Sequence, residues 1–454
     1  MFPWFARGLF YVYVKASGGK FFEEARELER SQWFSQNKLK EIQWQNLKGL
    51  LAFSSETVPF YQDRFNRYNL SAKSIKAIED FRKIPLLTKE EIRLNADRLR
   101  SNAYRGRVIK YSSSGSSGEP LVIALGTSTY GSYRAAQYRG FKWYGVTLGD
   151  CGARIWGVPL VSEKEHIGKI KDRLMNRVSL SAFTLSPQSM GRFFEGCVRF
   201  KARYLYGYAS ALCKFAQFVK GHRLDAKRLA LRVVISTSEK LYDFQRETIT
   251  STFGCPVANE YGAAEVGVIA FECPKGKMHI SCENVYLEFL KGSEPAAPGE
   301  PGEIVATSLK NYYMPFIRYK LGDIGRYSTE TCRCGRGLPL LEVVEGRDND
   351  IAVAADGTLV HSEIFSYMNR VLTDQGVGIR EFKIIQKSRK DLRVLVVKDP
   401  GIDERAVVYL KAQIHKFLGE EISVTVEYVD KILPEKSGKV RYFVSELTSN
   451  DISG

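Results

Sequence analysis

The chain has 454 residues, of which 44% are hydrophobic and 26% charged, an ordinary globular composition that excludes a disordered or fibrous protein. Because a single core rarely grows beyond about 250 to 300 residues, this length predicts one large domain and one smaller domain. The net charge of +16, from 67 Lys and Arg against 51 Asp and Glu, favours anionic partners such as nucleotides or acidic carrier proteins. Because the basic residues are scattered and no nucleic-acid motif is recognisable, nucleic acid is not an expected partner.

The amino terminus is aromatic and basic, and it lacks the continuous apolar region of a signal peptide. No run approaches the roughly 18 apolar residues that a membrane-spanning helix needs. We expect the terminal segment to pack on the large domain, with a peripheral membrane contact as the alternative. Eight cysteines are too sparse for a disulfide framework in a chain of this length, so a reducing cytoplasm is the expected compartment.

The first predicted elements are helices. Apolar residues at helical spacing predict a helix from Ser31 to Phe53, and Pro59 ends the run. Thr88 is followed three residues later by Glu91, a capping-box pair that predicts the start of another helix.

A loop rich in serine and glycine follows from Tyr111 to Pro120, where eight of ten residues are Ser, Gly or Pro. Small residues let backbone N–H groups converge on an anion, and serine hydroxyls add donors, so phosphate is the expected ligand. A flexible linker is the alternative, but Val108-Ile109 and Leu121 to Ala124 predict a turn between two buried strands. The ending of a Walker loop is missing, which argues against a nucleotide kinase of that class.

Strand and helix patterns then alternate, which predicts an α/β fold with a buried parallel sheet. A tyrosine-rich helix is predicted from Ser128 to Trp143, and the strand-like segments are Arg154 to Leu160, Tyr204 to Tyr206, Leu231 to Ser236 and Pro256 to Asn259. The last of these strands runs into an aromatic residue, a glycine and two carboxylates, and α/β proteins bind ligands at such strand ends.

The pattern changes after Gly346-Arg347. Predicted strands at 381–385, 392–397 and 422–428 accompany a predicted helix at 406–418. We therefore predict a large domain over residues 1–345 and a small α+β domain over residues 346–454.

Five motifs occur in one order along the chain: YSSSGSSGEP, EYGAAE at 260–265, PFIRYKLGDIGR at 315–326, EGRDND at 345–350 and LPEKSGKVR at 433–441. Over about residues 30 to 445 the chain resembles the adenylate-forming enzymes. The segments VPFYQDRF and CRCG are similar to the phenylacetate-CoA ligase and capsular-polysaccharide branch. The resemblance implies a large multi-layer ATP-binding domain with a small mobile lid. It also implies activation of a carboxylic acid by ATP, followed by transfer to CoA or to a phosphopantetheinyl carrier protein, with CoA favoured.

The resemblance also implies roles for individual residues. The phosphates of ATP would be held by the loop residues Ser113, Ser114, Gly115, Ser116, Ser117 and Gly118. The rest of the nucleotide would lie against Glu260, Tyr261, Gly262, Asp323 and the hinge residue Arg347. In this set Tyr261 packs on the adenine and Asp323 accepts the ribose hydroxyls. Glu265 would hold Mg²⁺, and Lys439 would be the lysine that drives adenylation.

Each role has a plainer alternative. Glu265 is equally explained as a carboxylate at a helix N-terminus, Asp323 as a turn residue, and Lys439 as a solvated surface charge. Three positions depart from the family pattern: Glu119 replaces a common lysine, Ala264 a hydroxyl residue, and Asn349 an aspartate or lysine. A non-catalytic nucleotide-binding protein of capsular polysaccharide synthesis is therefore the rival hypothesis.

The cysteines suggest a second site. Cys273, His279, Cys332 and Cys334 together provide three thiolates and an imidazole, a donor set suited to tetrahedral structural zinc. Related sequences of the branch carry a similar arrangement. Unconnected thiols are the alternative, and Cys282 competes with His279 as the fourth ligand.

The acyl pocket is expected around Trp156-Gly157, Tyr206 to Tyr208 and Ser236 to Lys240, although aromatic residues there serve equally well as core.

Overall fold

The computed structural model describes residues 19–112, 122–157, 176–183, 185–345, 351–362, 382–397, 404–432 and 443–447, together with isolated positions 8, 11, 12, 172, 364, 365 and 368. Within these residues, no helix combines the length and the apolar character that crossing a bilayer requires.

Residues 19–107 contain five helices: α1 (Phe21–Ser31), α2 (Gln36–Thr57), α3 (Pro59–Arg67), α4 (Ile78–Arg82) and α5 (Lys89–Leu94). Ser31 belongs to α1, and Ser35 caps α2 by accepting a hydrogen bond from the Lys38 N–H. The helix predicted from Ser31 to Phe53 is α2, which begins at Gln36 and ends at Thr57. Pro59 is the first residue of α3, a position at which the missing N–H of proline costs no hydrogen bond. The capping box of α5 is confirmed, because Thr88 and Glu91 exchange hydrogen bonds of 3.0 and 3.2 Å.

The serine-glycine loop connects an antiparallel hairpin of β1 (Val108–Ser112) and β2 (Val122–Gly126). Ile123, Ala124 and Leu125 of β2 are fully buried, whereas Val108 and Ile109 of β1 are only half-buried. The prediction of two buried strands is therefore right for β2 alone.

Strands and helices alternate after the hairpin. Its elements are α6 (Thr127–Trp143), β3 (Gly152–Trp156), β4 (Arg177–Ser181), α7 (Pro187–Arg199), β5 (Tyr204–Tyr208), α8 (Ala209–Gly221), β6 (Val233–Thr237), α9 (Asp243–Phe253) and β7 (Val257–Ala263). The strands pair in parallel in the order β4-β3-β5-β6-β7. Apolar residues of α1 and α6 pack on one face, and those of α7, α8 and α9 pack on the other.

The sheet continues with antiparallel strands: β8 (Gly267–Glu272), β9 (Met278–Ile280), β10 (Val285–Lys291), β11 (Glu294–Pro295), β12 (Gly302–Ser308), β13 (Tyr319–Tyr327) and β14 (Leu340–Glu345). The complete order is β11-β10-β12-β13-β14-β9-β8-β7-β6-β5-β3-β4. The predicted parallel sheet is thus only the α/β part of a mixed sheet, because helical crossovers, which parallel neighbours require, are absent between β7 and β14.

A separate four-stranded sheet forms near the carboxyl terminus, in the order β19-β18-β17-β20. Its elements, with a preceding hairpin, are β15 (Ile351–Val353), β16 (Leu359–His361), β17 (Phe382–Ser388), β18 (Asp391–Val397), α10 (Glu404–Leu418), β19 (Ser423–Val429) and β20 (Phe443–Ser445). Leu410 and Ile414 of α10 are buried in its core. The small α+β unit is confirmed, whereas the boundary at 345 and the hinge at Gly346-Arg347 stay predictions, since 346–350 lie outside the described residues.

Candidate functional site

Two of the predicted nucleotide motifs meet in space. The Tyr261 hydroxyl at the end of β7 donates to Asp323 Oδ2 in β13 at 2.8 Å, across 62 positions of sequence. A Cβ atom at Gly262 would lie 2.7 Å from the Gly267 carbonyl oxygen, so this crossing of strands requires glycine. The residues expected to contact adenine and ribose therefore form one surface.

Glu265 lies in the turn between β7 and β8 and is only 6% exposed. Its Oε1 atom accepts a hydrogen bond of 3.0 Å from the Tyr319 hydroxyl, and no other described residue donates to its carboxylate. The remaining oxygen is thus available to a hard cation such as Mg²⁺. Because Glu265 does not start a helix, the explanation through a helix dipole is wrong.

Helix α6 contacts this turn through a tyrosine side chain. The Tyr133 hydroxyl lies 2.6 Å from Ser308 Oγ and 3.2 Å from the Glu265 carbonyl oxygen. Burial raises the pKa of Tyr133 far above its usual value, so the phenol stays neutral and can donate. Sequence reasoning missed Tyr133 and Tyr319, although Tyr319 lies inside the same motif as Asp323.

Only two of the other expected or questioned nucleotide-site residues, Glu260 and Ala264, belong to the described part of the chain. Ser113 to Gly118, Glu119, Arg347, Asn349 and Lys439 are outside the described residues, so their roles stay predictions. Ala264 is exposed in the turn before Glu265 and presents only a methyl group. Glu260 is buried, and it lies on the opposite face of β7 from its neighbour Tyr261.

The cysteine and histidine residues of the second site do come together. One ligand atom from each of Cys273, His279, Cys332 and Cys334 lies within 4.8 Å of all the others. The Cys273 and Cys332 sulfurs are 3.5 Å apart, and Cys334 Sγ is 3.2 Å from His279 Nε2. Cys282 instead lies 3.9 Å from the Glu283 carboxylate, outside this cluster. The structure therefore favours His279 over Cys282 as the fourth group.

Burial and hydrogen bonds set the protonation of this cluster in the metal-free protein. His279 Nδ1 donates to the Leu338 carbonyl oxygen at 3.2 Å, which leaves a lone pair on Nε2, and burial lowers the His279 pKa to about 4. Burial raises the pKa of Cys332 to about 12, whereas hydrogen bonds from Arg336 outweigh burial and lower the pKa of Cys334. Three sulfurs and one imidazole match the donors that zinc prefers, and four protein ligands leave no position for a substrate. A bound zinc ion would cross-link the β8–β9 turn to the loop before β14.

In sequence the chain is similar to CapK and to phenylacetate-coenzyme A ligases. A family model described as the CapK C-terminal domain matches residues 353–446. Protein CapK from Staphylococcus aureus is 22% identical over 441 residues, which cover 94% of this chain and 92% of that protein. A phenylacetate-coenzyme A ligase from Thermus thermophilus is 23% identical over 326 residues, covering 70% of this chain and 72% of that protein.

Solved structures share the fold. The 2-hydroxyisobutyryl-CoA ligase in complex with 2-HIB-AMP and CoA, in its thioesterification state, is 16% identical and aligns with a TM-score of 0.63 over 92% of each chain. The same ligase in its postadenylation state with R3-HIB-AMP is also 16% identical and aligns at 0.58 over 93% of this chain and 92% of that chain. The chain is a distant homologue within the adenylate-forming ligase superfamily, in the branch of CapK and the phenylacetate-CoA ligases.

Proposed function

We propose that this protein uses ATP to convert a carboxylic acid into an acyl-adenylate and then transfers the acyl group to a thiol. The observation that carries the proposal is the 2.8 Å hydrogen bond between Tyr261 and Asp323, which joins two distant motifs beside the buried Glu265. The names of the relatives, which include coenzyme A ligases, support the same reaction class.

The chemistry requires the chain to bind and orient ATP. The ring of Tyr261 would lie against the adenine, while Asp323 would accept hydrogen bonds from the ribose hydroxyls. Glu265 would hold Mg²⁺, which supplies positive charge next to the phosphate oxygens when bound. Tyr319 would keep the carboxylate of Glu265 oriented through the 3.0 Å hydrogen bond that it donates.

In the first step, a carboxylate oxygen attacks the α-phosphorus of ATP, and the bond from this phosphorus to the pyrophosphate oxygen breaks. In the second step, a thiol sulfur attacks the acyl carbon, and AMP leaves with the former carboxylate oxygen. Charge accumulates on phosphoryl oxygens in the first step, so fixed donors near the α-phosphate are the main catalytic requirement.

An ATP–pyrophosphate exchange assay with a library of carboxylic acids tests the first step. We expect label from pyrophosphate to enter ATP only when a suitable acid and Mg²⁺ are present. Tight ATP binding without exchange for any acid would contradict the proposal.

That negative result would favour a nucleotide-binding role in capsular polysaccharide synthesis. The observations behind this second candidate are Ala264, which offers no hydroxyl next to Glu265, and the similarity to CapK over most of the chain.

For the acceptor, we propose CoA. The basic net charge suits CoA and an acidic carrier protein equally, so charge does not decide between them. Thioester formation with a carrier protein but never with free CoA would show that this choice is wrong.

Replacing Asp323 with alanine should raise the KM for ATP by roughly 10- to 100-fold, since a hydrogen bond to a charged group contributes about 1.5 to 3 kcal/mol. Steady-state exchange kinetics measure the change. Glu303 on the neighbouring strand, paired with Lys320 at 2.8 Å, provides the control, because Glu303→Ala should leave this KM unchanged. With 2′,3′-dideoxy-ATP, wild type and Asp323→Ala should bind equally weakly. A persistent difference between them would contradict the ribose assignment.

A further inference from the structure

A layer of polar side chains lies between α6 and the sheet, beside the nucleotide motifs. The deeper part of this interface is apolar and includes Phe141, Val233, Ile235 and Ala258. Nearer the carboxyl ends of the strands the same face is polar. This polar layer consists of Arg134 and Gln137 from α6 and Arg154, Tyr206, Thr237 and Glu260 from β3, β5, β6 and β7.

Glu260 is the carboxylate at the centre of the polar layer. Its Oε1 atom accepts hydrogen bonds from the Tyr206 hydroxyl at 2.8 Å and from Thr237 Oγ1 at 3.2 Å. Its Oε2 atom accepts one from Gln137 Nε2 at 2.9 Å. Burial raises the pKa of Glu260. Both oxygens therefore have neutral partners, and the carboxylate is not paired directly with an arginine.

Neither of the two arginines of the layer forms an ion pair with a described carboxylate. Arg134 donates to the side-chain oxygen of Gln137 and forms no ion pair with a described carboxylate. Arg154 forms neither a hydrogen bond nor an ion pair within the described part of the chain, and its Nε atom is buried. Nearby Arg177, in contrast, donates to Asp172 at 2.8 Å. Burial and the charge of Arg177 lower the pKa of Arg154 to about 10, which indicates that its charge is costly to maintain in the free protein.

The layer is next to the proposed site of reaction. Glu260 immediately precedes Tyr261 in β7, and α6 supports the Glu265 turn through Tyr133 one helical turn before Gln137. Trp156 stacks on Tyr206 with ring centroids 5.5 Å apart and an interplanar angle of 18°, so aromatic rings border the polar layer. An acid that occupies this region would have its far end near the arginines.

We propose that the acid activated by this protein carries a second anionic group, and that Arg134 and Arg154 bind this group. A guanidinium presents a planar fork of N–H donors that matches a carboxylate, phosphate or sulfate. The inference rests on the proposed function, since it names the class of acid for that reaction.

Other classes of acid fit less well. A neutral acid would leave Arg154, whose Nε atom is buried, without a hydrogen-bond partner, which is unfavourable. An acid with an amino group would need a free carboxylate, but both oxygens of Glu260 already accept hydrogen bonds.

Matched acids test this inference in the exchange assay: phenylacetate with 4-carboxyphenylacetate, and hexanoate with adipate and 6-aminohexanoate. We expect kcat/KM to be at least about 10²-fold higher for one of the diacids than for its neutral analogue, since sites built around a polar group reject analogues that lack it. The Arg154→Met variant should reduce this preference by at least about tenfold. Arg199→Met, on the exposed end of α7, is the control and should keep the wild-type preference.

A second readout does not depend on activity. Arg154→Met removes a partly buried charge that forms no ion pair with a described residue, so its Tm without ligand should be equal to or above that of wild type. Calorimetry with a non-hydrolysable ATP analogue should detect binding of the preferred diacid to wild type and not to Arg154→Met.

Exchange that is as fast with neutral acids as with diacids would overturn the inference and leave the proposed function intact. Preference for 6-aminohexanoate would also overturn it and would assign recognition to Glu260. Absence of exchange with every acid would contradict the proposed function. In that case, diacid binding that Arg154→Met abolishes would still support the anion site, and absence of such binding would overturn it.

Discussion

Replacing Lys439 with alanine should lower the rate of adenylation by about 10² to 10³. This is the usual effect of removing one preorganised hydrogen-bond donor that stabilises negative charge in the transition state. The family resemblance puts this lysine between the attacking carboxylate and the α-phosphate, where its ammonium would stabilise the transition state more than bound ATP. The variant should therefore fold normally and keep its affinity for ATP. It should also transfer an acyl group from a supplied acyl-adenylate, because the resemblance implies that the lid turns away for that step.

Lys436→Ala is the matched control, since Lys436 lies in the same PEKSGK segment. We expect it to be nearly silent in adenylation. Single-turnover assays of the two half-reactions separate these effects. Equal losses in both half-reactions for Lys439→Ala, or equal losses for the two lysines, would contradict the assignment.

The second large effect concerns the metal. Purified protein should contain about one zinc per chain, and the double variant Cys332→Ser and Cys334→Ser should lose it. Because binding of a structural metal adds directly to the free energy of unfolding, the Tm should fall by several degrees or more. Metal analysis and a thermal melt measure both effects on one sample.

Cys282→Ala is the control for this experiment. Cys282 is as buried as Cys273 but lies outside the cluster, so its replacement should leave the zinc content unchanged. Freshly purified wild type without zinc would refute the metal site, as would a double variant that retains the metal.

Local patterns predicted the elements well. Thr88 and Glu91 defined a helix start because a capping box depends on residues three positions apart. Alternating strands and helices likewise identified the parallel part of the sheet. The antiparallel strands after β7 were not predicted, since their pairing is set by contacts between residues distant in sequence, such as Val285 with Ser308.

The same distinction applies to the sites. Because few residue types bind zinc, the sequence could predict the grouping of Cys273, His279, Cys332 and Cys334. The choice between His279 and Cys282 as the fourth ligand required coordinates. The polar layer had no such signal. Arg134 and Arg154 are ordinary residues in a basic sequence, and only the fold shows that they share the sheet face under α6 and form no ion pair with a described carboxylate.

Isotope transfer tests the central claim most directly. The acid selected by the exchange assay is labelled with ¹⁸O in its carboxylate and incubated with ATP, Mg²⁺ and CoA. If the carboxylate attacks the α-phosphorus and the thiol then attacks the acyl carbon, mass spectrometry should find one ¹⁸O atom in each AMP produced. AMP without the label, or formation of ADP in its place, would contradict activation of the acid as an acyl-adenylate.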